Sequence, residues 1–479
     1  MTSPDSTTYL VSNGQDVDGN ALSVRLDRGG IVAAAASLHP QPGEPELDAR
    51  GGVILPGLRD HHLHLFAAAS ARRSLHCGPP QVNNAADLRE ALGQHCAVNR
   101  DWVRGVGFHD SVCPDLNRHW LDAVCADVPV RVQHRSGMMW VLNSAAIEAL
   151  SIDAGDALPL GAERDGSGAL TGRFYDCDDW LGQRIPRSAL SLTSLSRDLA
   201  RLGISAVTET GVNNGLSQWQ SLRDAVVSGQ FKQRLLVMGN ESLNGVEDAI
   251  PGRIEVGPLK LYLREAALPD MAEFTRRIAE AHRYQRCIAV HCVTRVELHF
   301  ALAALEEAGA LPGDRIEHAS VTDDYAMDKL ATLGVTAVTQ PHFIAERGDQ
   351  YLRDVDADDI PLLYRGAGFL DRGVALAAGS DAPYGDIDPW AGMAAAINRR
   401  SRSGQVLQAG EAIDPEQAAS LYSGLLRKPG GGLTVQSGME ADLCVLDAPW
   451  QQCRQDLRRD HVVATFSSGQ LIYHRDNQQ

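Results

Sequence analysis

The segment ILPGLRDHHLHL, residues 54–65, decides the fold class of this chain. His62 and His64 lie two residues apart where a short apolar run ends, and residues i and i+2 of a β-strand project to the same side. The two imidazoles can therefore bind one metal ion. His61 projects to the opposite face of such a strand, so we expect it to pack or to support the site. The apolar run itself is typical of a buried strand.

The composition indicates a globular enzyme and excludes two classes of partner. The chain has 479 residues and a formal net charge of −17, which argues against nucleic acid or an anionic membrane as a partner. No signal peptide and no apolar run of roughly 20 residues is evident. The nine cysteines include no Cys-x-x-Cys pair, so reduced thiols and a cytoplasmic location are expected. We expect a small-molecule substrate, and a homodimer remains open.

Short apolar runs alternate with amphipathic helical stretches along most of the chain. After residues 54–65, the strand candidates are GISAVTET (203–210), KQRLLVMG (232–239), GPLKLYL (257–263), CIAVHC (287–292), RIEHAS (315–320), GVTAVTQP (334–341) and VALAAGSDA (374–382). Eight β units that alternate with helices predict an α/β fold, a parallel (β/α)8 TIM barrel.

The two ends of the chain are rich in glycine and β-like. Residues 1–56 and 431–479 each have too few apolar residues for a core of their own, so they are predicted to form one small β-sandwich domain together. The barrel then covers residues 57–430. An insertion at about residues 70–195 holds the apolar run VPVRVQHRSGMMWVLN (128–143), which does not fit the barrel count.

Metal-type and reactive side chains recur at the predicted strand ends, where barrel enzymes place their active sites. They are His62, His64, Lys260, His291, His318 and Asp381. Neutral imidazole and carboxylate suit zinc and related divalent ions, so we expect one or two ions per chain. Only four of the 44 basic residues are lysines, and a buried ammonium is costly. Lys260 is therefore either a nucleophilic amine, for a Schiff base or a carbamate, or a strand-end lysine that reaches solvent.

The order PGxxDxHxHL, Lys, His, His and SDAP resembles the amidohydrolase superfamily of metal-dependent hydrolases. More narrowly, RSGMMWVLNSAAI, GVTAVTQPHF and SGMEADLCVLD resemble the amidohydrolase family 3 branch, which includes N-substituted formamide deformylase-like proteins. The resemblance implies a TIM barrel with a β-sandwich built from both termini. It also implies hydrolysis of carbon–nitrogen bonds other than peptide bonds.

The resemblance assigns roles to the strand-end residues. It implies one ion on His62 and His64 near Asp381, a second on His291 and His318, and a carboxylated Lys260 as the bridge. A metal-activated hydroxide would attack a carbonyl carbon, with Asp381 as the proton shuttle. Asp60 is expected to orient a ligand imidazole from behind.

The chain departs from the branch after its fifth-strand histidine, where the stretch from His291 to Arg295 has no acid. Glu209 could supplement or replace the lysine bridge, or it could be a hydrogen-bonded residue at the barrel mouth. His342 is expected to contact the substrate or the transition state as a catalytic residue. The expected substrate-lining residues are Arg135, Met138, Trp140, Tyr175, Gln340 and Tyr384.

Three functions follow from these patterns. The leading one is hydrolysis of a non-peptide carbon–nitrogen bond in an N-acyl or N-formyl amine or a cyclic amide. The alternatives are an aminohydrolase that releases ammonia at a mononuclear site, and a non-hydrolytic relative that keeps the fold. Metal count and the need for Lys260 separate the first two, whereas the third predicts metal binding without turnover of amides.

Overall fold

The computed structural model describes residues 8–477 except for 28, 80, 99–100, 153–157, 186–189 and 248–249. The chain forms two compact units, Met1–Leu65 with Ser191–Gln479, and Phe66–Leu190. The first unit holds the barrel and the terminal sheets, and the second is the insertion. None of the helices in the described residues is both long enough and apolar enough to span a membrane.

The strands fall into three groups along the chain. The first group is β1 (Tyr9–Gln15), β2 (Ala21–Asp27), β3 (Gly30–Ala35), β4 (Glu46–Asp48), β5 (Ile54–Pro56) and β6 (Leu58–Leu63). The insertion holds β7 (Leu75–His76), β8 (Val103–Phe108), β9 (Val130–His134), β10 (Met139–Leu142), β11 (Ala162–Arg164) and β12 (Leu170–Tyr175). The remaining strands are β13 (Ile204–Glu209), β14 (Arg234–Gly239), β15 (Ile254–Tyr262), β16 (Ile288–Cys292), β17 (Arg315–His318), β18 (Thr336–Thr339), β19 (Leu376–Ala378), β20 (Gly424–Leu425), β21 (Lys428–Pro429), β22 (Leu443–Leu446), β23 (Val462–Ser467) and β24 (Gln470–His474).

The α-helices lie between these strands. Up to the end of the insertion they are α1 (Leu65–Ala71), α2 (Ala85–Val98), α3 (Arg118–Asp122), α4 (Ser144–Ala149) and α5 (Asp178–Gly182). The helices of the barrel and the C-terminal region are α6 (Thr193–Arg201), α7 (Leu216–Val227), α8 (Met271–Arg283), α9 (Arg295–Ala308), α10 (Asp324–Leu333), α11 (His342–Asp354), α12 (Gly366–Asp371), α13 (Pro389–Asn398), α14 (Pro415–Ser420) and α15 (Trp450–Cys453).

The barrel is one parallel sheet of eight strands, β6 followed by β13 to β19, and each strand pairs with the next one along the chain. The sheet closes between its first and last strands. There the amide of Asp381 donates to the carbonyl of His62 (2.7 Å), and the amide of His64 donates to the carbonyl of Ala382 (3.0 Å). The predicted TIM barrel is confirmed, and each of the eight predicted runs overlaps one barrel strand, although β15 begins at Ile254, before the predicted run 257–263. Reactive groups at the strand ends are thereby brought to one rim.

The segment 54–65 is not one strand, as the sequence suggested, but two that belong to different sheets. β5 pairs antiparallel with β22 outside the barrel, and β6 begins the barrel after Gly57. The amide of Gly57 donates to the carbonyl of Asp442 (2.8 Å), and a Cβ here would lie 2.3 Å from the Ser205 hydroxyl oxygen. A glycine therefore permits the chain to change sheets at this point.

Two four-stranded sheets from the chain ends pack face to face. One sheet has the order β3-β2-β1-β4 and the other β24-β23-β22-β5, with a shared core of aliphatic side chains and Phe466. Ion pairs join this small domain to the barrel. Arg59 donates to Glu440 (2.7 Å), and Arg234 donates to Asp442 (3.0 Å). The sandwich built from both termini thus forms a single body with the barrel.

The insertion has its own six-stranded sheet, in the order β11-β12-β10-β9-β8-β7. The run 128–143 forms the antiparallel pair β9 and β10 at the centre of this sheet. Two apolar clusters lie against it, one of them around Trp140 and Phe174. The insertion is therefore a folded unit with a core of its own.

Candidate metal centre

The two histidines of the opening segment meet Asp381 at the barrel rim. The Nε2 atoms of His62 and His64 each lie 3.3 Å from Oδ1 of Asp381, and the two imidazole centroids are 5.5 Å apart. Burial acts to raise the pKa of Asp381, but hydrogen bonds with His62 and His64 outweigh it and hold that pKa well below its usual range. The carboxyl is therefore an anion at neutral pH, which suits a metal ligand or a proton acceptor.

Three ligand-type atoms form the closest group around this point. One atom each from His62, His318 and Asp381 lie within 4.8 Å of one another, and all three residues are buried. Both His318 and Asp381 have positive φ values, +71° and +51°, as non-glycine residues. Such left-handed conformations are uncommon outside glycine and occur where surrounding structure demands them. Here they turn the two side chains at the ends of β17 and β19.

Glu317 holds His62 from behind. Its Oε2 contacts Nδ1 of His62, and its carboxylate also accepts hydrogen bonds from Arg315. Burial acts to raise the pKa of Glu317, but Arg315, Lys260 and His62 outweigh it and hold the pKa well below the usual range. With Nδ1 occupied by this anion, His62 presents Nε2 to the rim.

Glu317 is a residue of the candidate site that the sequence analysis does not identify, and it, rather than Asp60, contacts the imidazole of His62. Asp60 was expected to orient a ligand imidazole, but its Oδ1 accepts the main-chain amides of His62 (3.1 Å) and Ser380 (2.9 Å) instead. The Asp60 side chain therefore links β6 to the loop after β19, because it accepts hydrogen bonds from main-chain amides of both segments. The letters RIEH contain Glu317 next to a predicted ligand, which was the available signal.

His318 is oriented in the same manner by an amide. Its Nδ1 lies 2.8 Å from Oε1 of Gln340, which leaves Nε2 for a ligand. Burial lowers the pKa of His318 to about 3, so its ring is neutral at physiological pH. Gln340 was expected to line the substrate pocket, but its side chain is fully buried. Its position makes it a residue that orients His318 instead.

His291 and Lys260 lie on the neighbouring strands β16 and β15. The imidazole of His291 packs edge-on against that of His318 at 4.4 Å and stacks on the Tyr262 ring at 4.2 Å. Burial lowers the pKa of His291 well below its usual value, and the nearby His318 acts in the same direction. His291 is therefore a second neutral imidazole beside the first group.

Lys260 is buried and its Nζ atom has no hydrogen-bond partner within the described part of the chain. Burial lowers the pKa of Lys260. An isolated buried ammonium is unfavourable, so this amine calls for a chemical partner. Of the two alternatives, the solvent-reaching lysine is wrong, because only 3% of Lys260 is exposed.

Glu209, the alternative bridge, is occupied by hydrogen bonds. Its Oε2 accepts the Leu65 amide, and its Oε1 accepts the amide of Gly211 (2.9 Å) and the side chain of Asn214 (3.0 Å). These bonds favour the structural role of Glu209 at the barrel mouth.

The ring of His61 lies on the far face of β6, as the sequence predicts, with its Nε2 3.0 Å from the carbonyl oxygen of Ser423.

His342 is the first residue of α11, which follows β18, and Tyr384 lies on the loop after β19. The Tyr384 ring packs edge-on against His64 at 5.6 Å and so borders the site. His342 is buried, its Nε2 has no described hydrogen-bond partner, and a Cβ on Gly385 would lie 2.2 Å from that atom. The structure thus packs His342 against the loop after Tyr384.

The other four expected lining residues, Arg135, Met138, Trp140 and Tyr175, belong to the insertion. Trp140 is a core residue there: its indole donates to Asp178 (2.9 Å), and Arg104 and Arg131 lie over its ring. Its predicted role as a wall of the substrate pocket stays a prediction. Tyr175 is exposed, and Arg135 and Met138 are half-buried. Their roles toward a substrate stay predictions.

The donor set fits a divalent metal ion. His318 and His291 are neutral, Asp381 is anionic, and the second nitrogens of His62 and His318 are bound by Glu317 and Gln340. Buried imidazoles fixed in this way are characteristic of zinc and related sites. The unpartnered Nζ of Lys260 fits a further donor once it is carboxylated.

Comparisons with known proteins agree with this architecture. A profile of the amidohydrolase family matches residues 46–473. N-substituted formamide deformylase of Arthrobacter pascens is 25% identical, over 96% of this chain and 94% of the relative.

Solved structures share the fold. A metal-dependent hydrolase of Pyrococcus horikoshii OT3 superposes with a TM-score of 0.74 at 19% identity, over 94% of this chain and all of that one. N-isopropylammelide isopropylaminohydrolase of Burkholderia multivorans superposes with a TM-score of 0.54 at 16% identity, over 98% of both chains. The chain belongs to the amidohydrolase family, within its family 3 branch, and is a hydrolase of carbon–nitrogen bonds other than peptide bonds.

Proposed function

We propose that this protein hydrolyses an N-acyl or N-formyl amine, or a cyclic amide, with a divalent metal ion that is zinc in the resting enzyme. The observation that carries the proposal is the convergence of His62, His64 and Asp381 within 3.3 Å contacts at the barrel rim. The similarity to N-substituted formamide deformylase supports an amide as the bond that is cleaved.

In this proposal, different residues of the site bind each of two metal ions. His62, His64 and Asp381 would hold one ion, and His291 and His318 a second, with carboxylated Lys260 between them. A bound ion would lower the pKa of a water molecule to near neutrality and polarise the scissile carbonyl. Glu317 keeps the Nδ1 of His62 engaged, so that its Nε2 remains available to the metal.

In this proposal Asp381 is the residue that moves protons. It accepts a proton from the attacking water and then donates that proton to the departing nitrogen, which must leave as an amine. Its anionic state at neutral pH suits the first of these transfers. The contacts with His62 and His64 keep the carboxylate at the rim, where a substrate carbonyl can approach.

A second candidate is an aminohydrolase with a single ion. The three donors His62, His318 and Asp381 lie close enough together to hold a single ion, which favours this alternative. The fold similarity to N-isopropylammelide isopropylaminohydrolase is compatible with it. In this alternative Lys260 remains an uncarboxylated amine and is dispensable for metal binding.

The test is metal content per chain, by elemental mass spectrometry, on freshly purified wild type and on Lys260→Ala. About two ions in wild type and fewer in the variant support the bridged pair, and a panel of N-formyl amines, N-acyl amines and cyclic amides should then include a substrate. About one ion in both proteins favours the aminohydrolase. A protein that binds no metal even after zinc is supplied contradicts both functions.

A further inference from the structure

Arg347 lies beside the metal centre but belongs to none of its ligands. It is on α11, half-buried, and its Nη2 donates to the main-chain carbonyl of Tyr384. Tyr384 in turn donates its amide to the carbonyl of Asp381 (2.8 Å), and its ring contacts His64. The guanidinium therefore rests on the same loop that carries Asp381.

The charge of Arg347 is not neutralised within the described part of the chain. A guanidinium has five N–H donors, and Tyr384 is the one hydrogen-bond acceptor that the described residues supply to Arg347. The neighbouring Arg365 pairs with both Glu411 (2.7 Å) and Asp324 (2.6 Å). Among the described residues Arg347 has no ion pair of this kind, so most of its donors are available to a ligand.

Two buried arginines of this chain, Arg399 and Arg286, find their hydrogen-bond acceptors in a different way. Arg399 donates to the carbonyls of Leu407, Tyr364 and Leu363, and Arg286 donates to four carbonyls and one side-chain amide. These two arginines have a structural role, because their hydrogen bonds connect several main-chain segments. Arg347 lacks such a set of acceptors, which distinguishes it from a purely structural arginine.

The nearest acidic groups are engaged elsewhere. Asp381 is held by His62 and His64, and Oε1 of Glu346 accepts the amide of Asp386 (3.1 Å). Burial acts to lower the pKa of Arg347, but Tyr351, Tyr364 and Asp381 outweigh it and raise the pKa. The guanidinium is therefore a cation at neutral pH.

The walls next to Arg347 are aromatic. Its guanidinium carbon lies 3.8 Å from the centroid of the Phe343 ring, and Tyr384 borders the same space toward His64. A cation on an aromatic face keeps its fork of donors directed away from that face. A planar anion is the ligand that such a fork binds best.

We propose that Arg347 binds a carboxylate of the substrate, so that the natural substrates are N-acyl or N-formyl amines that carry a carboxylate near the scissile bond. This inference rests on the proposed hydrolysis of amides. The guanidinium would anchor the carboxylate while the amide reaches Asp381 and the metal ligands. Arg347 is accordingly a residue of substrate specificity rather than of catalysis.

The test compares matched substrates in wild type, Arg347→Met and Arg347→Lys, all loaded with zinc. The substrates are the N-formyl and N-acetyl derivatives of glycine, alanine and phenylalanine, each as the free carboxylate and as the methyl ester. We expect Arg347→Met to lower kcat/KM for the carboxylates roughly 30-fold, as expected for the loss of a charged hydrogen bond, and to change the esters less than about threefold. Arg353→Met, an exposed position on the same helix, is the matched control and should change neither series.

The ratio of kcat/KM between the carboxylate and the ester substrates distinguishes a loss of carboxylate binding from a loss of folding. A variant that loses activity equally on carboxylates and esters contradicts the inference, because a displaced loop would affect both. A wild type that cleaves esters and refuses carboxylates also overturns it, while the proposed amide hydrolysis stands.

Turnover of no substrate would instead be a failure of the proposed function. Calorimetric titration with N-acetylglycine then tests carboxylate binding by Arg347 independently of turnover. Binding by wild type that is lost in Arg347→Met supports it, and equal binding by both, or binding by neither, refutes it.

Discussion

Replacement of Glu317 by Gln tests the most deeply buried charge pair of the site. Glu317 is fully buried between the guanidinium of Arg315 and Nδ1 of His62. The substitution keeps the size of the side chain but removes its charge. It also presents an amide donor where His62 now meets an acceptor.

The expected loss of stability and of metal affinity follows from the two partners of Glu317, Arg315 and His62. Arg315 is 1% exposed, and removal of one member of a buried ion pair costs about 3–5 kcal/mol. Because the glutamine can still accept one hydrogen bond from Arg315, we expect the lower end of that range. With an unfolding entropy of roughly 0.7 kcal/mol/K for a unit of the barrel's size, the melting temperature should fall by about 4 °C. Affinity for metal at His62 should fall about 10- to 100-fold.

The assay is thermal unfolding of metal-free protein, followed by zinc titration against a chelator of known affinity. The control is Glu241→Gln, which removes a surface pair with Arg277 at 2.6 Å between half-exposed side chains and should cost less than about 1 kcal/mol. A Glu317→Gln protein with wild-type melting temperature and zinc affinity would refute the reasoning that this carboxylate both balances Arg315 and orients His62.

Three further substitutions test the centre. Asp381→Asn should reduce kcat about 100- to 10,000-fold with an unchanged circular dichroism spectrum, and near-normal kcat would remove Asp381 as the proton shuttle. Lys260→Ala should lose activity that short carboxylic acids with added zinc partly restore, whereas full activity without them would show that no carbamate is needed. Gly379→Ala places a Cβ 2.3 Å from the His62 amide nitrogen and should destabilise the protein by about 1–3 kcal/mol, measured by denaturant unfolding; unchanged stability would mean that β6 and the loop after β19 are not tightly packed.

Much of the barrel could be predicted because its strands are encoded locally. Each of the eight runs is a short apolar segment between helical stretches, and these patterns do not depend on distant contacts. The candidate ligands could be placed at strand ends for the same reason. The division of residues 54–65 between two sheets could not be predicted, because it depends on the approach of Gly57 to Asp442 and Ser205, far away in the chain.

The supporting residues of the site were the least predictable part. Asp60 precedes a predicted ligand by two positions and Glu317 precedes one directly, and nothing local distinguishes the roles of these two acids. The sequence predicts that Gln340 lines the pocket, and only the tertiary structure shows its contact with Nδ1 of His318, a candidate ligand. Arg347 is one of forty arginines, and its available donors are apparent only from the contacts around α11.

The sequence by itself determined the alternation of strands and helices, the paired histidines and the order of reactive residues along the barrel, since each depends on neighbours in the chain. The tertiary structure decided which carboxylate contacts which histidine or arginine. Closure of the sheet joins β6 to β19 and places Glu317 behind His62 across 255 positions of sequence. Electrostatic pairing depends on distance in space and on burial, and local sequence patterns specify neither across so long a separation.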